Sequence, residues 1–373
     1  MMEIPCKDTP REVQIVKTGV AHLPLHTGKA PAWLFQRMRE LGREIVLAVL
    51  TDSGPAELLR RLADPYWFQA FGCALGFDWH SSGLTTTVCG ALKEGLNPLA
   101  KVTGLALAGG KGAASRKAPA EIERVSTTLH LDPAPLTYAS RMAAKVDNAA
   151  LQDGYQLYHH VFVLTREGRG AVIQQGMNPT HGYARWYHWL GERVQDFVCE
   201  PESAICCNRQ ETTVLNLVAT ESAGARTAST LLARERPDQL LREVEKLTTL
   251  TLPARHQVAL ADVNVKRLGS VLLRTYETQV ESFEALLGLP GIGPKTLRAL
   301  ALLSELIHGA APSFQDPARY SFAHGGKDGH PYPVNRGLYD TSIQFLRQAL
   351  RAARIGHTEK LHALRRLDRA FPS

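Results

Sequence analysis

The sequence lacks any run of eighteen apolar residues, the length that a bilayer-spanning helix requires. Its opening stretch, MMEIPCKDTPREV, has no apolar segment of the kind that a signal peptide contains. Cysteine is scarce: six cysteines are scattered over 373 residues without a CxxC pair, which argues against a disulfide framework and against a structural zinc site. These absences predict a cytoplasmic chain with reduced thiols. Its 373 residues are enough for two domains.

A nucleotide-binding Walker loop is also missing, although LALAGGKGAASR resembles one. Leu105 stands where the first glycine belongs, and Gly112 follows the lysine in place of serine or threonine. ATP hydrolysis is therefore not expected. A loop that holds phosphate through Lys111, Ser115 and Arg116 stays open.

Excess positive charge is present, and it is concentrated near the C-terminal end. Residues 1–224 hold 22 basic and 22 acidic side chains, whereas residues 286–373 hold 12 basic and 6 acidic ones. A basic surplus confined to one segment favours a polyanionic partner such as nucleic acid. The alternative is a charged helical surface that only keeps the chain soluble.

Hydrophobic periodicity predicts an α+β fold. YQLYHHVFVL and AVIQQGM, separated by TREGRG, indicate a β-hairpin whose alternation puts His159 and His160 on opposite faces. VTGLALAGG is expected to be a buried strand. We predict a mixed α/β domain over 1–222 and an all-α domain over 223–373. The helices predicted by pattern are Pro31–Leu50, Pro55–Leu62, Ala134–Leu151, Arg226–Leu247, Asp262–Tyr276, Val280–Leu287, Pro294–His308 and Arg336–Arg354.

The most informative motif is LLGLPGIGPKTLRALALLSELIHG, residues 286–309. Its glycines predict a tight turn, and Pro294 fits the first position of the next helix. The stretch resembles the helix–hairpin–helix consensus, which grips a nucleic-acid backbone with helix N-terminal amides. The alternative is an ordinary helical hairpin. The residues predicted to contact nucleic acid are Gly291, Ile292, Gly293, Lys295, Thr296 and Arg298, with His324 and Lys327 of the later AHGGKDGH loop.

A second function follows from the resemblance to helix–hairpin–helix base-excision glycosylases. In those enzymes the lysine two residues after the second glycine can act as a Schiff-base nucleophile, assisted by an aspartate about twenty residues downstream. Lys295 occupies that lysine position, and Asp316 lies 21 residues further on. The resemblance implies that Lys295 and Asp316 are catalytic, while a lysine that only contacts phosphate is the alternative.

Acidic and histidine residues in the first half suggest a metal-dependent nuclease. GFDWHSS places Asp78 and His80 two residues apart, and AKVDNAALQDGYQLYHH contains further polar side chains ahead of the hairpin. Such groups suit Mg²⁺ or Mn²⁺ and a water-orienting base. We predict Asp78, His80, Asp147 and Asp153 as metal ligands, and Lys145, Asp147, Asp153 and His160 as catalytic residues. A helix cap beside a surface histidine is the alternative for the first pair.

The segment ARWYHWLGERV contains several aromatic side chains and admits two interpretations. Trp186, Tyr187 and Trp189 either stack on bases or belong to the core.

Several motifs together resemble one family. They are LPLHTGKAPAWLFQRM, LGFDWHSSGLTTTVCGALKE, AKVDNAALQDGYQLYHH, VIQQGMN, ARWYHWL and FAHGGKDGHPYPV. The family is the prokaryotic domain of unknown function numbered 763, and the resemblance covers nearly the whole chain. It implies one coherent protein and brings no activity that can be assigned to particular residues.

The expected function is that of a DNA-binding protein of the repair or processing type. The first prediction is a metal-dependent nuclease that binds DNA without sequence preference. A glycosylase/lyase and a non-enzymatic adaptor are the alternatives. The choice between DNA and RNA, between single and double strands, and between a monomer and a homodimer stays open.

Overall fold

The computed structural model describes residues 30–77, 83–207, 210–247, 265–320, 336–354 and 356–370. The helices in these ranges are α1 (Ala32–Ala63), α2 (Pro65–Ala74), α3 (Gly83–Leu96), α4 (Ala100–Thr103), α5 (Ala118–Leu129), α6 (Pro133–Lys145), α7 (Ala223–Leu232), α8 (Pro237–Leu247), α9 (Val265–Thr278), α10 (Phe283–Gly288), α11 (Pro294–His308), α12 (Arg336–Ala352) and α13 (His357–Ala370). The strands are β1 (Leu105–Lys111), β2 (Leu151–Gln152), β3 (Gln156–Thr165), β4 (Gly170–Asn178), β5 (Tyr183–Leu190), β6 (Ala204–Cys207), β7 (Leu215–Asn216) and β8 (Arg319–Tyr320). The predicted α+β class is confirmed.

One sheet organises the molecule, with strand order β1-β3-β4-β5-β6-β8. All neighbouring pairs are antiparallel except β6 and the short β8, which run parallel. The predicted hairpin is β3 and β4, and its register sets His160 opposite Gln174. The predicted strand in VTGLALAGG is β1, which pairs with β3. β2 and β7 form a separate two-stranded pair.

Each face of the sheet is covered by helices, because its strands alternate apolar side chains between two faces. Val161, Val163 and Trp186 join a first core with α1, α2, α3, α12 and α13. Phe162 and Trp189 join a second core with α4 to α11. The molecule is therefore layered as helices, sheet and helices.

Both cores contain residues from either side of position 222. Leu346 and Leu367 of the last two helices pack into the first core, beside residues of α1. Leu286 and Leu297 pack into the second core beside Phe162 of β3. The division at residue 222 stays a prediction, and the apolar packing is continuous across it.

Two predicted helices end differently from the pattern. The segment Arg226–Leu247 forms two helices, α7 and α8, because Pro237 lacks an N–H and disfavours helical geometry at the residue before it. The predicted helix Ala134–Leu151 ends at Lys145, and a π-helical turn spans Val146–Ala150. Conversely, Pro31–Leu50 and Pro55–Leu62 lie in one helix, α1, which is kinked at Gly54 (φ 78°).

The aromatic residues of β5 lie in the interior. Trp186 and Tyr187 are wholly buried, and Trp189 is 2% exposed. The interpretation that these side chains stack on bases is therefore wrong, since no base can reach them. Among the described helices, none combines the length and the apolar character needed to cross a membrane.

Candidate functional site

The predicted turn before α11 forms as expected from its sequence. Ser282 caps α10 by accepting a hydrogen bond from the Ala285 amide at 3.1 Å, and the chain turns through Gly291, whose φ is 92°. Pro294 begins α11, where its missing N–H costs no hydrogen bond. Ile292 is buried in the second core and fixes the turn against it. We call residues 289–293 the α10–α11 turn.

The outer side of the α10–α11 turn is open. A Cβ added at Gly293 would meet nothing within 4 Å. Lys295 is exposed and Arg298 half-buried, whereas Thr296, also predicted to contact nucleic acid, is buried at 7% exposure. Arg274 of α9 places a third cation beside the turn. Its Nη1 donates to the Pro290 carbonyl at 2.8 Å. The turn thus has open space at Gly293 and positively charged side chains beside it.

Lys145 secures this turn from α6. Its Nζ donates to the carbonyl oxygens of Leu287 at 2.5 Å and Leu289 at 2.6 Å, both at the C-terminal end of α10. Partial burial, with a further contribution from Arg141, lowers the pKa of Lys145 to about 8. The sequence predicted a catalytic role for Lys145; the structure places its amine on helix carbonyls, which is a positioning role.

Gln152 joins the start of α11, directly after this turn, to the strand that follows the π-helical segment. Its Nε2 donates to the Pro294 carbonyl at 2.9 Å, and its Oε1 accepts from Nε of Arg298 at 2.9 Å. The two motifs that the sequence suggested separately, AKVDNAALQDG and GIGPKT, are therefore in contact.

Asp147 lies in a buried network beneath the sheet. Its Oδ2 accepts from Nε1 of Trp189 at 2.8 Å and from the amide of Gln174. Burial, and then the neighbouring carboxylate of Glu202, raise the pKa of Asp147 well above its usual range. Its side chain is completely buried.

Asp153 belongs to a different cluster. Its Oδ2 accepts from Nη1 of Arg185 at 2.8 Å and from the Tyr187 hydroxyl at 2.7 Å. Arg185 also donates to both carboxylate oxygens of Asp316, at 2.9 and 2.7 Å, and its guanidinium lies 4.3 Å from the centre of the Tyr155 ring. Asp316 accepts further hydrogen bonds from backbone amides at 2.6 and 2.8 Å. Asp153, Arg185 and Asp316 thus form a buried ion-pair cluster, to which the Tyr187 hydroxyl and two backbone amides donate.

Of the four predicted metal ligands, Asp147 and Asp153 lie in the described residues, and these two do not share a site. Asp147 and Asp153 are engaged by protein donors in separate networks, while Asp78 and His80 lie outside the described residues, as do His324 and Lys327. Within the described ranges no group of three His, Cys, Asp or Glu side chains is arranged to hold a metal ion. Lys295 lies exposed on α11, whereas Asp316 is buried against Arg185.

His160, predicted as catalytic, faces a residue that the sequence did not suggest. Nε2 of His160 lies 2.8 Å from Oγ of Ser140 on α6, and Nδ1 lies 2.8 Å from Oε1 of Gln174. Ser140 and His160 line a cleft of about 400 Å³, which we call the Ser140 cleft. No sequence motif marks Ser140, because its partner is brought to it only by the packing of α6 on β3.

The GGKG segment, residues 109–112, has a packing explanation. Gly109 has a φ of 99°, and a Cβ there would lie 2.2 Å from the carbonyl oxygen of His160. Its amide donates to Glu121 at 2.7 Å. Ser115 and Arg116, predicted for a phosphate-holding loop, line the Ser140 cleft. Lys111 lies 5.9 Å from the centre of the Tyr158 ring instead.

A comparison with protein families finds one match, to the family described as "Protein of unknown function (DUF763)", over residues 19–334. No curated protein and no solved structure matches the chain.

Proposed function

The chain belongs to the DUF763 family, and because that family's description assigns no activity, we propose a function from the geometry: sequence-independent binding of the DNA backbone by the α10–α11 turn. The observation that carries the proposal is the open, cation-flanked turn at the start of α11. An incoming phosphate oxygen would accept hydrogen bonds from amides of that turn, at the positive end of the helix.

The attachment of the turn supports this proposal. Lys145 and Arg274 donate to carbonyls of the turn itself, those of Leu289 at 2.6 Å and Pro290 at 2.8 Å. Gln152, from a third element, donates to the next carbonyl along α11, that of Pro294, at 2.9 Å. A turn that is already fixed loses little conformational entropy when it binds, so more of the interaction energy appears as affinity. An ordinary helical hairpin does not need three polar side chains directed at its turn and the helix start after it.

Charge supports it as well. Lys295, Arg298 and Arg274 surround the turn, and Arg298 is oriented by Gln152. Six of the seven surplus positive charges of the chain lie in residues 286–373. Cations at this position attract phosphates without reading bases, which accounts for binding without sequence preference.

The test measures binding of labelled single-stranded and duplex DNA by fluorescence anisotropy at several salt concentrations. We expect affinity to fall steeply with salt, and Lys295→Ala to weaken binding equally across sequences and to reduce the salt slope by about 1. Lys101→Ala, at an exposed lysine of α4, is the matched control and should bind like the wild type. Salt-independent binding, or equal loss in both variants, would rule out the proposal.

The same preparations distinguish the catalytic predictions that stay open. Cleavage of undamaged DNA that EDTA abolishes would support a metal-dependent nuclease, with Asp78 and His80 as the ligands to substitute first. A borohydride-trapped adduct on abasic DNA that is lost in Lys295→Ala would support the glycosylase/lyase. Binding without either reaction would support an adaptor.

A further inference from the structure

The Ser140 cleft contains a serine hydroxyl in contact with a histidine ring, next to the proposed DNA-binding turn. We propose that Ser140 is a nucleophile with His160 as its general base, and that the pair hydrolyses a phosphate diester bound in the cleft. Lys145 connects the two places, because it lines the cleft and donates to the Leu289 carbonyl of the α10–α11 turn. The choice of a diester rests on the proposed function, since DNA on the turn would bring phosphodiesters to the cleft.

The hydrogen bonds of His160 fix the tautomer that a general base needs. Oε1 of Gln174 can only accept, so Nδ1 of His160 carries the proton and Nε2 accepts from Ser140. Gln174 is held in that orientation because its amide donates to Asp147. The chain from Ser140 through His160 and Gln174 to Asp147 has the logic of a nucleophile, a base and an orienting group.

Burial keeps His160 in its neutral form. His160 is 5% exposed, and this burial lowers the pKa of its ring below the ordinary value. At neutral pH the ring is therefore unprotonated, which a general base must be before it accepts the Ser140 proton. Ser140 is itself 1% exposed, so its hydroxyl is shielded from bulk water except along the cleft.

The walls of the cleft suit an anion. Arg116, Arg141 and Lys145 line it, and its described lining contains no carboxylate. The Lys145 amine already donates to two carbonyls at the end of α10. The exposed side chains of Arg116 and Arg141 are therefore the cations that a substrate would contact. Guanidinium groups bind phosphoryl oxygens in a bidentate manner and stabilise the charge that accumulates as phosphorus is attacked.

The reaction balances without any further reactant except water. A lone pair of Ser140 Oγ forms a bond to phosphorus while the hydroxyl proton passes to Nε2 of His160. The bond from phosphorus to the leaving oxygen breaks, and that oxygen takes the proton from His160. The covalent intermediate is a diester of Ser140. Water then attacks its phosphorus and gives a proton to Nε2 of His160. The bond from phosphorus to Ser140 Oγ breaks, Oγ takes that proton back from His160, and a phosphate monoester is released.

The first test uses diisopropyl fluorophosphate on the full chain in EDTA, with the modified residue located by mass spectrometry. We expect one adduct at Ser140, formed with loss of fluoride. His160→Asn should slow its formation by about 10²-fold or more. Ser126→Ala, at a buried serine of α5, is the matched control and should react like the wild type. Absence of an adduct at Ser140, or an undiminished rate in His160→Asn, would overturn the proposal.

The second test measures hydrolysis of bis(4-nitrophenyl) phosphate and 4-nitrophenyl acetate in EDTA. We expect the wild type to hydrolyse the diester, Ser140→Ala to be inactive and Ser140→Cys, which retains a nucleophile, to form a covalent adduct. Thermal melting checks that each variant is folded. Hydrolysis of the acetate alone would overturn the assignment to phosphate esters, and diester hydrolysis unchanged in Ser140→Ala would overturn the nucleophile.

DNA binding and labelling of Ser140, both measured on the wild type, distinguish failure of this inference from failure of the proposed function. DNA binding without labelling of Ser140 would remove the nucleophile and leave the binding turn. Labelling of Ser140 without DNA binding would retain the nucleophile and remove the reason for expecting a nucleic-acid diester.

Discussion

At the scale of single residues, Asp147 and Glu202 form an unusual buried pair. Oδ1 of Asp147 and Oε1 of Glu202 are both buried and, among the described residues, have no hydrogen-bond donor. Burial raises the pKa of both carboxyl groups, and for Asp147 the charge of Glu202 raises it further. One proton shared between the two groups would satisfy both oxygens and avoid two adjacent negative charges.

This pair makes stability depend on pH in a definite direction. Because the folded pKa lies above the unfolded values of 3.8 and 4.5, the stabilising contribution of the shared proton is complete below about pH 4 and is lost as pH rises through the folded pKa. Glu202→Gln supplies a permanent donor. It should raise the free energy of unfolding by about 1 kcal/mol or more at pH 8, relative to wild type, and by little at pH 4.

Urea unfolding across pH 4 to 9 checks this prediction. Glu123→Gln, at an exposed glutamate of α5, should stay within about 0.5 kcal/mol of wild type at every pH. A difference between Glu202→Gln and wild type that does not change with pH would show that the two carboxyl groups share no proton.

At the scale of elements, Lys145 links α6 to the end of α10. A single amine accounts for two hydrogen bonds to carbonyls that α10 leaves without helical partners. The orientation of the α10–α11 turn therefore depends on α6, although the two are about 140 residues apart.

Lys145→Met retains the apolar stem and removes both hydrogen bonds. We expect a loss of about 1–3 kcal/mol in the free energy of unfolding, since the carbonyl of the buried residue Leu287 loses this donor. Amide hydrogen exchange should accelerate over residues 283–297 more than in β3 or β4. Lys101→Met serves as the control. If hydrogen exchange in the α10–α11 turn were equally fast in Lys145→Met and Lys101→Met, Lys145 would not be holding the turn.

The elements were more predictable from sequence than the site. The hairpin, α11 and the turn before it follow from local signals: period-two alternation around His159 and His160, paired glycines, and Pro294 at a helix start. The Ser140–His160 contact could not be predicted, because it depends on how α6 lies on the sheet. Asp147 and Asp153 are close in sequence, yet Asp147 lies within the π-helical turn and Asp153 follows β2, and their side chains join separate networks.

At the scale of the whole molecule, the first 222 residues cover each face of the sheet only in part. Helices α12 and α13 complete the first core, and α7 to α11 complete the second. An isolated fragment would leave both apolar faces partly exposed to water, at a cost of about 25 cal/mol for each Å².

We therefore expect a fragment of residues 1–222 to lack cooperative unfolding in urea, unlike the full chain. Near-ultraviolet circular dichroism of its buried tryptophans should be weak, although helical signal in the far-ultraviolet persists. A sharp urea transition with a native near-ultraviolet spectrum would instead establish residues 1–222 as an independent domain.

Arg185 has a consequence for the order in which the protein is made. Its guanidinium is wholly buried between Asp153 and Asp316, and the second partner lies 131 residues further along the chain. During synthesis, the ribosome releases the strand that bears Arg185 well before it has translated Asp316. Until then the interior around Arg185 lacks one of its two counter-charges, so final closure of the sheet must wait for translation of the C-terminal part. A ribosome stalled before residue 316 should therefore hold a nascent chain that a protease still cuts.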